Sequence, residues 1–299
     1  MQDSWYLVCQ SKQLPKGKVI PFLIEPLELV IFRNGQNQVV ALDGVCDHLG
    51  AKLKRAKWSQ EGIICPLHNI CFDSLGNSKH SSIGRYRQKK FQTKEMYGSV
   101  FVYIGKKEHP AFPNISLLKE SEQIYQSFKP ITVSTHWISI LVNAFDPIHL
   151  EHVHRRKLVE PPKITLHKKD KTLEFLYVSR VIGNSNADKL MKWISNDLIQ
   201  VRIRCHHGLT YTIESDLGKT KSCLLLSLKP LGEQTSISGI LVQKKSLPFF
   251  DWIRLQIAHY LFRKFLLSDL LPLEGMKVNL THLNHHPILR TVNKYIKIL

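Results

Sequence analysis

The chain has 299 residues, 43% of them hydrophobic, and 42 Lys and Arg against 24 Asp and Glu give a formal net charge of +18. That length can bury a good core and suits two domains, and six cysteines with no CxxC pair exclude a disulfide framework and fit a reducing compartment. No run of eighteen apolar residues offers a membrane span, and Met1-Gln-Asp-Ser-Trp5 lacks a signal-peptide profile, so a cytoplasmic protein is expected.

In chain order, the first elements are short β-branched and aromatic runs separated by turn residues. Trp5-Tyr-Leu-Val8, Lys18–Leu23, Leu29–Arg33 and Gln38–Leu42 read as strands. Cys46-Asp-His48 follows, then sixteen residues, then Cys65-Pro-Leu-His68. These short loops supply two thiolates and two imidazoles, the set that holds a Rieske [2Fe–2S] cluster, with Cys on one iron and His on the other. The same donors suit a structural zinc. Zinc knuckles, however, favour gaps of two to four residues within each pair, whereas Cys46 and His48 are separated by one. Cys9, Cys71, Cys205 and Cys223 read as ordinary thiols. Lys106–Asn114, polar and interrupted by proline, reads as a linker, giving domains at 1–110 and 111–299.

Past the linker, Ser127–Ser134 is a predicted strand and His136–Phe145 a predicted helix. Asp146-Pro147 supplies an N-cap and a first helical residue for the next one. Asn143-Ala-Phe-Asp146-Pro-Ile-His149-Leu-Glu-His-Val-His154 is the second chemical constellation. Two His with a later carboxylate form a facial triad that leaves positions open on a non-haem Fe(II). His149 and His154 lie about 140° apart on an ideal helix, so the helix must end or turn between them. His152, which would share a face with His149, is the internal rival. Strand-like runs at Leu173–Val178, Ile199–Arg204, Thr210–Ile213, Ser222–Leu228 and Ser236–Val242 precede a long apolar segment, Phe249–Leu273. Five charged residues break that segment, so it reads as an amphipathic core helix, and the plan is α+β.

With both motifs in this order, the chain resembles the Rieske non-haem iron oxygenases from end to end, closest to the monooxygenase and O-demethylase branch. The resemblance makes Lys90–Gly105 the closing strand pair of an N-terminal antiparallel β Rieske domain. It makes the second domain a helix-grip fold, a curved antiparallel sheet around a long C-terminal helix. Ala51 and Leu67 stand where cytochrome-complex Rieske proteins carry an extra disulfide, and His68-Asn69-Ile70 replaces the family's His-Gly-Trp. Asn is the next most tolerant residue after Gly for unusual backbone. The family pattern selects His154 beside His149 as iron ligand. It puts the third ligand on the long helix, where Asp269 is expected and Glu274 is the alternative. Asp146 is implied to bridge His68 of a neighbouring subunit to His149, which requires a homotrimer, and Asn143 is implied to stand near the iron or to be merely polar on a buried helix.

The function implied is oxygenation with O2, using electrons relayed from NAD(P)H through a separate flavin reductase, with or without a ferredoxin. The chain itself lacks a Gly-rich nucleotide turn after a strand. The substrate would be a small apolar or aromatic molecule, hydroxylated or oxidatively dealkylated. Ring cis-dihydroxylation is the alternative, and a non-catalytic Rieske electron carrier or lipophilic-ligand binder stands outside catalysis. Basic stretches at Lys52–Lys57, Arg85–Lys90, His154–Lys157 and His167–Lys171 are spread over both domains, so no nucleic-acid partner is expected. Most read as solvated surface, and the two beside the cluster loops suit steering of an acidic ferredoxin.

Overall fold

Alternating apolar and polar residues build the sheets of both halves of the chain. The computed structural model describes residues 3–79, 84–107, 111–119 and 122–299, so the predicted linker at 106–114 lies partly outside the described residues. The chain divides into two compact units, Asp3–Phe112 and Pro113–Leu299.

The first unit is all antiparallel β. Its strands are β1 (Ser4–Gln10), β2 (Val19–Ile24), β3 (Leu27–Arg33), β4 (Val39–Asp43), β5 (Lys57–Ser59), β6 (Gly62–Ile64), β7 (Cys71–Phe72), β8 (Ser78–Lys79), β9 (Lys90–Met96) and β10 (Ser99–Ile104). Six form a sheet in the order β1-β10-β9-β4-β3-β2, and β5-β6-β7-β8 form a smaller one. Val30, Phe32, Val40 and Leu42 of the larger sheet share one apolar core with Ile63 and Phe72 of the smaller, and Cys46, Cys65 and Ile70 belong to that core. Burying such side chains contributes roughly 1.5–3 kcal/mol each. The two cysteines therefore sit within a buried apolar core, on loops whose ends are fixed by strands.

The second unit opens with β11 (Gln123–Val133), α1 (Trp137–Ala144) and α2 (Pro147–His152), followed by β12 (Arg156–Leu158), β13 (Lys163–His167) and β14 (Thr172–Val181). Then come α3 (Asn186–Ser195), β15 (Leu198–His206), β16 (Thr210–Asp216), β17 (Lys221–Leu231), β18 (Gln234–Lys244), α4 (Pro248–Leu273) and α5 (Pro287–Ile298). An antiparallel sheet runs β11-β18-β17-β16-β15-β14-β12, with β13 also paired to β14. In β15, Ile199, Val201, Ile203 and Cys205 are buried while Gln200, Arg202 and Arg204 point the other way, the period of two expected of a strand with one covered face. The predicted strands at 173–242 are all present and longer, because pairing extends them past their apolar centres. α+β is the observed class.

Two elements differ from expectation. The long helix is not the last one, since α5 follows it, and α4 is not amphipathic in the expected sense. Leu266, Leu270 and Leu273 are buried, yet Phe249, Trp252, Tyr260 and Leu271 are exposed along another stripe. The five charges in the segment are too few and too scattered to make a polar face.

Candidate metal centres

The two Cys/His loops are built alike. In the first, the Cys46 amide donates to the Ala51 carbonyl (2.8 Å) and the Cys46 carbonyl accepts from the Gly50 amide (2.8 Å). In the second, the Cys65 amide donates to the Ile70 carbonyl (2.8 Å) and the Cys65 carbonyl accepts from the Asn69 amide (3.1 Å). Each loop thus closes on its cysteine through the residues four and five positions on. Gly50 and Asn69 are equivalent, and both are left-handed, with φ of 74° and 54°. A residue with a Cβ is costly there, and Asn replaces Gly at the second position because its short polar side chain tolerates that conformation.

At the centre, Cys46 and Cys65 are buried side by side, while the His48 and His68 rings lie 4.7 Å apart. Burial pushes the Cys46 thiol up, and the amides of His48 and Leu49 that donate to its sulfur oppose this. Donors aimed at a sulfur stabilise its thiolate. His48 Nδ1 is buried without a hydrogen-bond partner among the described residues, which a neutral imidazole tolerates at a cost of about 1–3 kcal/mol. A metal ligand bond would satisfy it. Tyr86 packs on the His48 ring at 4.7 Å, whereas His68 is exposed. Two buried sulfurs, an orphaned ring nitrogen and a second imidazole beside it fit a [2Fe–2S] centre.

The second constellation is assembled by α1, α2 and α4. His136 caps α1 and Asp146 caps α2, its carboxylate accepting from the Ile148 amide at 2.9 Å with Pro147 as first helical residue. α2 ends at His152, and the turn at Val153 and His154 brings His154 back toward His149. Arg155, left-handed at φ 51°, then leads the chain into β12. His149 Nε2 is 3.1 Å from His154 Nε2, and Asp269 Oδ1 lies 2.6 Å from the first and 2.5 Å from the second. All three ligand atoms fall within 4.8 Å of one another. Asn143 Nδ2 is 3.4 Å from His149 Nε2. His152 is exposed, its Nδ1 3.1 Å from the Ile148 carbonyl oxygen, and Glu274 is the exposed C-cap of α4; neither joins the group.

Burial pushes the Asp269 carboxyl up, but hydrogen bonds from His149 and His154 outweigh it and hold the group below the usual carboxylate range. Two imidazole nitrogens crowded on one carboxylate oxygen would need two N–H groups pointing at the same atom. A cation resolves that crowding, and two neutral nitrogens with one anionic oxygen are a donor set suited to Fe(II).

Sequence reasoning missed the neighbours that hold these groups. Phe265 stacks on the His154 ring at 3.6 Å and 10°; it lies one helical turn before Asp269, so its i, i+4 spacing was a usable signal. Arg156, inside a stretch read as solvated, is buried and 3.4 Å from Asp188 of α3. Tyr177 is buried on β14, its hydroxyl pushed up by burial, opposed by Arg156 and reinforced by Asp269.

Comparison with known proteins places these features. Residues 4–90 match the model of the Rieske [2Fe-2S] domain. The oxygenase component of a 3-ketosteroid-9-alpha-monooxygenase from Rhodococcus rhodochrous is 26% identical over 161 residues, covering 50% of this chain and 43% of that protein. Aminopyrrolnitrin oxygenase from Pseudomonas fluorescens is 28% identical over 167 residues, covering 50% of this chain and 45% of that protein. These matches span less than half of the relatives' length. Among solved structures, dicamba monooxygenase bound to dicamba shares the fold with a TM-score of 0.72 at 16% identity, over 99% of this chain and 97% of that one. NdmA of Pseudomonas putida with caffeine does so with a TM-score of 0.70 at 17% identity, over 98% and 88%. Residues 4–90 therefore carry a Rieske [2Fe–2S] domain, and the chain is similar to oxygenase components of that kind. A Rieske [2Fe–2S] cluster and a mononuclear iron are the cofactors that the two donor sets fit.

Proposed function

We propose that this protein is the oxygenase component of a multicomponent system that hydroxylates, or oxidatively dealkylates, a small apolar or aromatic molecule with O2. Electrons would reach it from NAD(P)H through a separate flavin reductase, with or without a ferredoxin. The observation that carries the reading is the convergence of His149, His154 and Asp269 on one point in a chain that also holds the Cys46, His48, Cys65, His68 set. These three residues would hold a mononuclear iron, which would supply open coordination positions for O2. The rest is done by the chain. Phe265 fixes the plane of His154, Asp269 supplies the single negative charge, and Asn143 stands beside the site with its Nδ2 3.4 Å from His149 Nε2. Asp146, fixed as an N-cap, is assigned the bridge to His68 of a neighbouring subunit, in a homotrimer. Domains at 1–110 and 111–299 would carry the two cofactors, and free thiols at Cys9, Cys71, Cys205 and Cys223 support a cytoplasmic location.

The test is metal content. Asp269→Ala should lose the mononuclear iron while the [2Fe–2S] spectrum stays intact, because two neutral imidazoles hold Fe(II) weakly. Glu274→Ala should keep both. The reverse ranking would move the ligand to Glu274, and loss from neither would favour the electron-carrier reading.

A further inference from the structure

The start of α4 carries an apolar cluster that nothing in the second unit covers. Phe249 is 71% exposed, Trp252 64%, Leu247 62% and Phe250 55%, and the two Phe rings meet edge to face at 5.8 Å. Exposed apolar residues scattered singly need no explanation; a contiguous group of this size does. Hydrogen bonds tie the cluster to the adjacent turns. Arg254 donates to the Lys244 carbonyl (3.2 Å) and to Thr220 Oγ1 (3.0 Å), and Lys219 donates to the Trp193 carbonyl at 2.6 Å. Lys219 also stands 4.4 Å over the ring of Trp193, itself 67% exposed. One end of the sheet therefore presents Trp and Phe beside Lys219, Lys244, Lys245 and Arg254. Two acids stand among them: buried Asp251 accepts from the Ser246 amide and lies 3.3 Å from Arg254, and Glu122 is 3.6 Å from Lys244, so Lys219 and Lys245 carry the surplus positive charge.

We propose that this end docks on the surface of an anionic lipid bilayer. Trp and Phe flanked by basic residues are the side chains that enter the headgroup region, the rings at the acyl boundary and the ammonium groups on lipid phosphate. Each basic residue near such a surface strengthens the attachment roughly fivefold at physiological salt. A second copy is the poorer occupant. Two copies meeting through this particular patch would set Lys219 and Lys245 of one against those of the other, whereas anionic lipid neutralises them. No described helix is long and apolar enough to cross a membrane, so the contact is peripheral. It stands independently of the oxygenase reading.

The test is cosedimentation of the full protein with vesicles of phosphatidylcholine alone, or of phosphatidylcholine with phosphatidylglycerol. Binding is expected only to the anionic vesicles, weaker at high salt, with a blue shift of tryptophan emission. Phe249→Ser with Trp252→Ser should weaken binding by about tenfold or more, and Lys244→Glu with Lys245→Glu should abolish the preference for phosphatidylglycerol. Trp193→Phe with Trp252→Phe, which spares the fold, should keep binding and lose the blue shift. Wild-type protein that ignores anionic vesicles, serine variants that bind like wild type, or a blue shift that survives the phenylalanine pair would overturn the proposal. So would an oligomer, seen without lipid, that the serine variants dissociate, since the face would then belong to a second copy.

Discussion

At the scale of single residues, Asn69 shows what the sequence can and cannot tell. Its departure from the family's Gly is visible in the string, but its equivalence to Gly50 is visible only in the hydrogen bonds that close both loops. An Asn at φ 54° costs little, whereas an Ala there pays about 1–2 kcal/mol. Asn69→Gly should therefore leave the chemical denaturation midpoint near wild type, and Asn69→Ala should lower stability by about that amount. Equal stability of the two variants would show that the loop relaxes out of the left-handed region. The backbone angle decides this position more than the side chain.

Among elements, α2 carries the most consequence for its size. It has six residues, too few to be stable alone, and Asp146 with Pro147 at its first turn sets where it starts. Asp146→Ala removes the acceptor of the Ile148 amide and should cost about 0.5–2 kcal/mol. Asp146→Asn keeps a good cap, so it should keep stability and both metals. If the residue also bridges subunits, substrate turnover in that variant should fall while metal content holds. Full turnover would remove the bridge. Most of this was legible. Asp-Pro marked the cap, and the five-residue separation of His149 and His154 required the turn that α2 makes. Phe265 left a trace in its spacing from Asp269, but Arg156 and Tyr177 were not legible, because their roles depend on which strands and helices face one another. α4 misled because its charges suggested a polar face, whereas its apolar residues wrap round to the exposed stripe.

For the whole molecule, stability in acid should depend on a histidine far along the sheet from any metal ligand in sequence. Burial, then the positive charges of Arg204 and His207, lower His206 from 6.5 to about 4. Its Nδ1 is 3.2 Å from Thr172 Oγ1. The folded chain keeps this imidazole neutral where the unfolded chain protonates it. The unfolded state then binds more protons, so its contribution is intact above pH 6.5 and is lost as pH falls toward 4. The full loss is on the order of 3 kcal/mol. Denaturation midpoints measured across that window should fall more steeply for wild type than for His206→Gln. Parallel curves would mean that His206 takes up its proton without unfolding.

The twin loops carry one asymmetry that their shared backbone throws into relief. The cysteines occupy the same place in each, but His48 follows its cysteine by two residues and His68 by three. That single inserted position turns one ring inward under Tyr86 and leaves the other open to water. A protein or small molecule arriving from outside meets the second imidazole more openly than the first. The two sides of this centre are unequal doorways, and the inequality is written in the spacing of four residues.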